Sequence, residues 1–229
     1  MKKVYDTINQ YCVEHELLTN GDGIVIGLSG GMDSVCLLQV LAALRNEWQL
    51  RLVCVHVHHG IRGTAADEDA AFAQRLAAKY NISFRLYEMD IPQLAKEQGL
   101  SEEEAGRNYR YRCFEEVRKE LNFDKIAVAH HRDDQAETVL WQILRGSGLR
   151  GVCGMRAGRA NIIRPLLCLD RQQIEQIVRE NGDGWREDAT NREEKYTRNK
   201  IRNRVFPYIE QEIQPMARRH LVELAEDCQ

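Results

Sequence analysis

No C-x-x-C pair occurs in this chain, and its seven cysteines (Cys12, Cys36, Cys54, Cys113, Cys153, Cys168, Cys228) are odd in number and scattered. That argues for reduced thiols in cytoplasm and against a zinc or iron–sulfur site. No window approaches the ~18 consecutive apolar residues of a membrane span. Met1-Lys2-Lys3 leads into an amphipathic segment rather than a signal-peptide core. A membrane partner is therefore not expected. Internal repeats and low-complexity tracts are also missing, which leaves an ordinary globular chain.

What is present suits one domain. At 229 residues and 43% hydrophobic composition the chain can build a substantial core. The net charge of −3 hides an asymmetry. Residues 1–144 carry 16 Lys and Arg against 22 Asp and Glu, residues 145–204 carry 14 against 8, and residues 205–229 carry 2 against 5. A basic block behind an acidic region is either a polyanion dock or a solvated face.

The most informative stretch is Ile24 to Leu38. An apolar, β-branched run stops at Ser29-Gly30-Gly31, and Ser34 opens a helical pattern of Val35, Leu38 and Leu41. A strand, a glycine turn and a helix start follow one another, so the first helical amides point outward with the positive end of the helix dipole behind them. Such a junction is an anion site, most naturally for phosphate, unless it is a plain turn with capping serines. It is neither of the two commonest phosphate loops. Asp33 stands where G-x-x-x-x-G-K-[ST] needs lysine, and G-x-G-x-x-G has no match at this junction.

Further strands are expected at 52–57, 83–87 and 125–129, alternating with helices at 3–18, about 65–80, 101–121 and from residue 133 onward. This makes the class α/β with a Rossmann-like parallel sheet of about five strands and helices on both faces. Asn161 to Ile163 reads as an edge strand, and Asp170 caps a later helix. A catalytic domain over 1–212 and a short helical extension over 213–229 complete the expected organisation. His15 reads as core, and Asp133 or Asp134 as the cap of its helix.

Ligands of open parallel sheets bind beyond the carboxyl ends of the strands, where strand order reverses. Three polar clusters fall there: Ser29 to Ser34, His58-His59-Gly60-Ile61-Arg62, and His130-His131-Arg132-Asp133-Asp134-Gln135-Ala136-Glu137. With the first and fourth strands as neighbours, Asp33 would face Asp133 and Asp134. Acids opposite a phosphate loop call for a hard cation, and Mg²⁺ is the economical choice. Arg107 and Arg110 lie off the apolar stripe of their helix, where Glu103–Arg107 pairing is the plain alternative. The run from Arg145 to Gly151 is a mobile loop or a turn. Asp188 to Arg202, rich in arginine with Tyr196 interleaved, suits RNA better than a membrane.

The S-G-G-x-D-S pattern resembles the pyrophosphate loop of the N-type ATP pyrophosphatases. Together with HHGIR, EEEAGRNYRYR, HHRDDQAET, RGSGLRG, RPL, DATN and YTRNKIR, the chain resembles the tRNA(Ile)-lysidine synthetase family. That resemblance implies a cytoplasmic ligase using ATP to join free L-lysine to carbon 2 of the cytidine at the first anticodon position of an isoleucine tRNA, releasing pyrophosphate and AMP. Implied for ATP are Ser29, Gly30, Gly31, Asp33, Ser34, His59, Arg62 and His130. Asp33, Asp133 and Asp134 are implied for Mg²⁺ and, with Arg107, for catalysis. Arg107, Arg110, Asn191, Arg198 and Arg202 are implied for substrate and tRNA. A homodimer is left open. The competing readings are a tRNA 2-thiocytidine synthetase-like enzyme, which would need a cysteine pair, and a non-catalytic ATP-binding module.

Overall fold

The computed structural model describes residues 2–58, 64–186 and 197–229. At its centre lies β1 (Gly23–Gly27), whose neighbours are β2 (Arg51–His58) on one side and β4 (Lys125–Ala127) on the other. Alternate side chains of a strand point to opposite faces. Ile24 and Ile26 accordingly enter one core while Val25 enters the other. Both faces must be apolar, which is why this strand reads as an unbroken hydrophobic run.

The first face is covered by α1 (Lys2–Glu14), α2 (Met32–Leu44), α3 (Thr64–Lys79) and α8 (Arg171–Glu180), which supply Ile8, Leu38, Leu76 and Ile177 to the larger core. The second is covered by α4 (Ile91–Gln98) and α5 (Glu102–Glu120), through Ile91, Tyr109, Phe114 and Val117. Gly27 is required here by packing, since a Cβ on it would lie 2.7 Å from the Phe114 ring.

With β3 (Ser83–Glu88), β5 (Gly158–Arg159) and β6 (Ile162–Ile163), the sheet has six strands in the order β3-β2-β1-β4-β6-β5. All neighbours are parallel except β5 with β6. Strand order reverses between β1 and β4, in the register Ile24 with Lys125 through Ile26 with Ala127. This reversal sets the position of a crevice above their carboxyl ends.

Behind α6 (Arg132–Leu144) and the short α7 (Leu149–Val152), the chain ends in α9 (Thr197–Lys200), a π-helical turn (Ile201–Val205), α10 (Phe206–Glu212) and α11 (Ala217–Asp227). Ala136 of α6, Ile201, Phe206 and Val222 form a third, smaller core. Arg145 to Gly151 thus comprises a turn and the start of α7.

Several local expectations are corrected. The segment expected at an edge, 161–163, lies inside the sheet, because Gly158 and Arg159 pair with it and take the edge. α4 was not anticipated, although Asp90 caps it through the Gln93 amide at 3.0 Å and Gly99, at φ +66°, ends it. α1 stops at Glu14, so His15 is exposed and lies against the Tyr11 ring instead of entering the core. Ile143, expected on the inner side of α6, is 41% exposed. The cap of α6 is His131, not an aspartate; Asp134 closes a capping box by accepting from the His131 amide.

Candidate active site

The Ser29–Ser34 loop joins β1 to α2. Gly30 takes φ +89°, a conformation that side chains rarely adopt. Its amide donates to Ser34 Oγ at 3.1 Å, and Ser34 Oγ donates to the Gly31 carbonyl at 2.8 Å. Ser29 Oγ lies 3.1 Å from Ser34 Oγ, so the two hydroxyls brace the loop itself. Gly31 occupies the cap position of α2 without any side-chain hydrogen bond, which leaves the first amides of this 13-residue helix uncapped and facing outward. The loop is also held from above. The Arg186 amide donates to the Gly30 carbonyl at 2.9 Å, while its guanidinium pairs with Asp69 and Glu68 of α3 at 2.7 Å each.

Across the crevice, α6 begins directly after β4. His131, 1% exposed, places Nε2 3.7 Å from Asp33 and 3.6 Å from Asp134, while its Nδ1 accepts from the Asp133 amide at 3.2 Å. Burial works against its charged form, but Asp33, Asp134 and Asp133 outweigh burial and raise its pKa. The neighbouring His130 goes the other way. Burial lowers its pKa to about 3, so it is neutral at pH 7.

Asp134 and Glu137 lie three residues apart on one face of α6, and Arg198 and Arg202 lie four apart on the opposing segment. Asp134 Oδ1 pairs with both guanidinium groups at 2.8 Å. Glu137, 1% exposed, meets Arg202 Nε at 2.6 Å and Arg198 Nε at 2.9 Å. Burial tends to raise the Asp134 pKa, yet His131 and the two arginines hold it down at about 2. The π-helical turn at Ile201–Val205 falls within this junction, a distortion frequent at functional sites.

The sequence-based set is therefore distributed as follows. Asp33, Asp133 and Asp134 meet around His131 beside the loop, whereas Arg198 and Arg202 sit on the Asp134 and Glu137 carboxylates. Arg107 and Arg110 are exposed on α5, and the Arg107 guanidinium lies 5.4 Å from the Tyr111 ring centre. His59, Arg62 and Asn191 lie outside the described residues. Reading the sequence missed the roles of His131, Glu137 and Arg186. For Glu137 no local signal existed, because its arginine partners lie 61 and 65 positions away in the sequence.

Chemically, the arrangement offers an anion cradle with carboxylates at its mouth. Asp33 Oδ1, His130 Nδ1 and His131 Nε2 are buried with no hydrogen-bond partner among the described residues, so these atoms have polar capacity to spare. No group of three or more His, Cys, Asp or Glu among the described residues forms a complete metal nest. Mg²⁺ does not require one, since it is held by one or two carboxylates with substrate phosphates and water. Asp33 and Asp133 fit that role, while Asp134 is engaged by two arginines and a backbone amide.

A PP-loop domain model matches residues 2–209. The chain belongs to the PP-loop domain family. A tRNA(Ile)-lysidine synthase of Caldanaerobacter subterraneus subsp. tengcongensis is 48% identical over 92% of this chain and 44% of its own length. One of Clostridium perfringens is 42% identical over 99% of this chain and 48% of its own. The chain spans about half the length of the curated relatives it matches. Among solved structures, the U34-tRNA thiolase NcsA of Methanococcus maripaludis superposes with a TM-score of 0.78 over 99% of this chain and 77% of that one, at 18% identity. That likeness shows the fold alone. No described helix is long and apolar enough to cross a membrane.

Proposed function

We propose that this PP-loop chain ligates free lysine to carbon 2 of the cytidine at the first anticodon position of an isoleucine tRNA at the expense of ATP. The observation that carries the reading is the meeting, on one rim, of an uncapped phosphate loop with Asp33 at its mouth and an α6 acid pair clamped by Arg198 and Arg202. Relatives that bear the lysidine synthase name at 40–48% identity support it.

In this reaction the loop amides and the α2 N-terminus orient the β- and γ-phosphates, so that the cytidine O2 attacks the α-phosphorus in line and pyrophosphate departs. Mg²⁺, when bound at Asp33 and Asp133, supplies neutralisation of the phosphate charge. His131, whose Nδ1 accepts from the Asp133 amide, turns its Nε2 edge towards Asp33 and Asp134 at 3.7 and 3.6 Å. The lysine side-chain amine then attacks carbon 2, and AMP leaves with the electron pair of the C–O bond. A hollow of about 400 Å³ lined by Glu103, Glu137, Trp141 and Arg198 carries both signs of charge, as a zwitterionic amino acid requires. The base must leave its stack to reach the crevice, which suits an anticodon loop.

Labelled lysine, ATP and an isoleucine tRNA test the proposal. Transfer of label to RNA with one AMP and one pyrophosphate per lysine is expected. ATP turnover without label in RNA, from this chain and from a full-length relative alike, would sink it. Sulfur transfer is the weaker reading, since burial pushes the Cys12, Cys54 and Cys168 thiols up to about 12, where little nucleophilic thiolate exists.

A further inference from the structure

A second hollow, of about 390 Å³, opens between α5 and the β5–β6 hairpin. Arg107, Asn108 and Tyr111 line it from one face of α5, and Arg159, Ile162 and Arg164 line it from the hairpin. No carboxylate is among the described lining residues. Three arginines therefore line one space with no acid among the described residues to offset them, an arrangement that costs free energy unless an anion occupies it.

Arg164 makes the case sharper. It is 7% exposed and follows β6 directly, one of its Nη atoms donates to the Arg156 carbonyl at 2.8 Å, and its Nε is buried without a partner. Burial is the main cause that pushes its pKa down; the nearby Tyr111 works the other way, and Arg107 and Arg159 add to the lowering. A buried donor left unpaired costs more than a hydrogen bond returns, and its retention points to a ligand.

The ligand's chemistry follows from the lining. A free amino acid would bring an ammonium group needing an acid, and none lines the hollow. A phosphodiester needs only donors, and the Tyr111 ring under Arg107 adds a surface for a sugar or base. Position agrees. β6 lies beside β4, so Arg164 sits on the rim that carries His130, whose field includes both Arg164 and Arg107.

We propose that the Arg107–Arg159–Arg164 hollow binds a backbone phosphate of the RNA substrate and thereby fixes the register in which the target nucleotide enters the crevice. The inference rests on the tRNA reading above.

Arg159 is the residue to change, because it is exposed on the edge hairpin. Binding of an isoleucine tRNA transcript to the wild-type protein, Arg159→Ala and Arg159→Lys would be measured from low to moderate salt, alongside ATP binding. The alanine variant should bind RNA about tenfold more weakly at low salt, with the slope of log affinity against log salt reduced by about one. Lysine should recover part of the loss, and ATP affinity should not change. A methylphosphonate scan of the anticodon stem-loop should find one phosphate whose neutralisation weakens the wild-type protein but adds nothing to Arg159→Ala. Unchanged RNA affinity in Arg159→Ala, or additive losses at every phosphate, overturns the inference. A raised KM for lysine with unchanged RNA affinity overturns it in favour of a carboxylate subsite. Wild-type protein that binds RNA but transfers no lysine refutes the lysidine reading alone, and the Arg159 comparison still decides the phosphate.

Discussion

Replacing Asp134 by asparagine should separate fold stability from chemistry in a pH-dependent way. The Asp134 carboxylate is 8% exposed and takes two arginine donors at 2.8 Å and the His131 amide at 3.1 Å. Its pKa falls from 3.8 to about 2 on folding, the opposing arginines and His131 winning over burial. That difference is worth about 2 kcal/mol of stability at pH 7. Because the folded value is the lower one, the contribution is complete above the unfolded pKa and is lost as pH falls through the folded pKa. Roughly half should be gone by pH 3. Asparagine keeps the shape but not the charge, so Asp134→Asn should unfold about 2 kcal/mol more easily in urea at pH 7, equivalent to roughly 4–8 °C in Tm for a chain of this size. The gap should narrow to about 1 kcal/mol at pH 3. Equilibrium urea unfolding at both pH values, with the m-value held constant as a control, provides the measurement. A gap that is absent at pH 7, or of equal size at both pH values, would refute the claim that the ion-pair ladder sets this carboxylate.

Four further outcomes are expected. Asp33→Asn should abolish AMP release while shifting stability by no more than about 1 kcal/mol, because Asp33 Oδ1 has no partner among the described residues and Oδ2 meets only His131 Nε2, at 3.7 Å; an unfolded variant would mark Asp33 as structural. Gly30→Ala places a side chain at φ +89° and should cost about 1–2 kcal/mol together with most of the ATP affinity, read by melting and nucleotide titration. Asp183 is a 5% exposed acceptor for Tyr80 at 2.6 Å, Gln39 at 2.8 Å and the Lys79 ammonium, so Asp183→Ala should cost about 3 kcal/mol and raise the KM for ATP by freeing the Arg186 segment from the loop. His130, buried neutral with its pKa lowered to about 3, makes the fold lose stability as pH drops below the ordinary 6.5; His130→Gln should flatten the dependence between pH 6.5 and 5 in thermal melts, and an unchanged profile would count against its burial.

The parts legible from sequence were those written in contiguous residues. The β1 run is apolar on both faces, and the glycine turn and helix start follow it directly, so strand, cradle and helix could be read together. The crevice followed from one topological rule. β5 and β6 were harder because each has two residues, too few for any periodicity, and their pairing places Ile162 inside the sheet only through contact with β4. α4 has eight residues and no long stripe. The α6 cap was misassigned because Asp133 and Asp134 are the stronger capping types, whereas the structure uses His131 in a box with Asp134. Glu137 and Arg198 are 61 positions apart, and nothing local announces that they touch.

That long-range ladder changes how charge is distributed around the crevice. Four carboxylates, Asp33, Asp133, Asp134 and Glu137, stand near a loop built for anions, and at an effective dielectric of about 20 each free one at 4 Å from a phosphate charge would cost about 4 kcal/mol. Asp134 and Glu137 are neutralised by Arg198 and Arg202, while His131 Nε2 lies 3.7 Å from Asp33. The uncompensated charge is thus that of Asp33 and Asp133, which one divalent cation can offset. On the β6 side the balance is reversed, with three arginines and no acid among the described lining residues. On the proposed reading, nucleotide phosphates and RNA phosphate are held on opposite sides of His130 and His131. A base inserted between them can reach the α-phosphorus without either polyanion crossing the other's site, and the buried, unpartnered ring nitrogens of these histidines mark where that base would meet the protein.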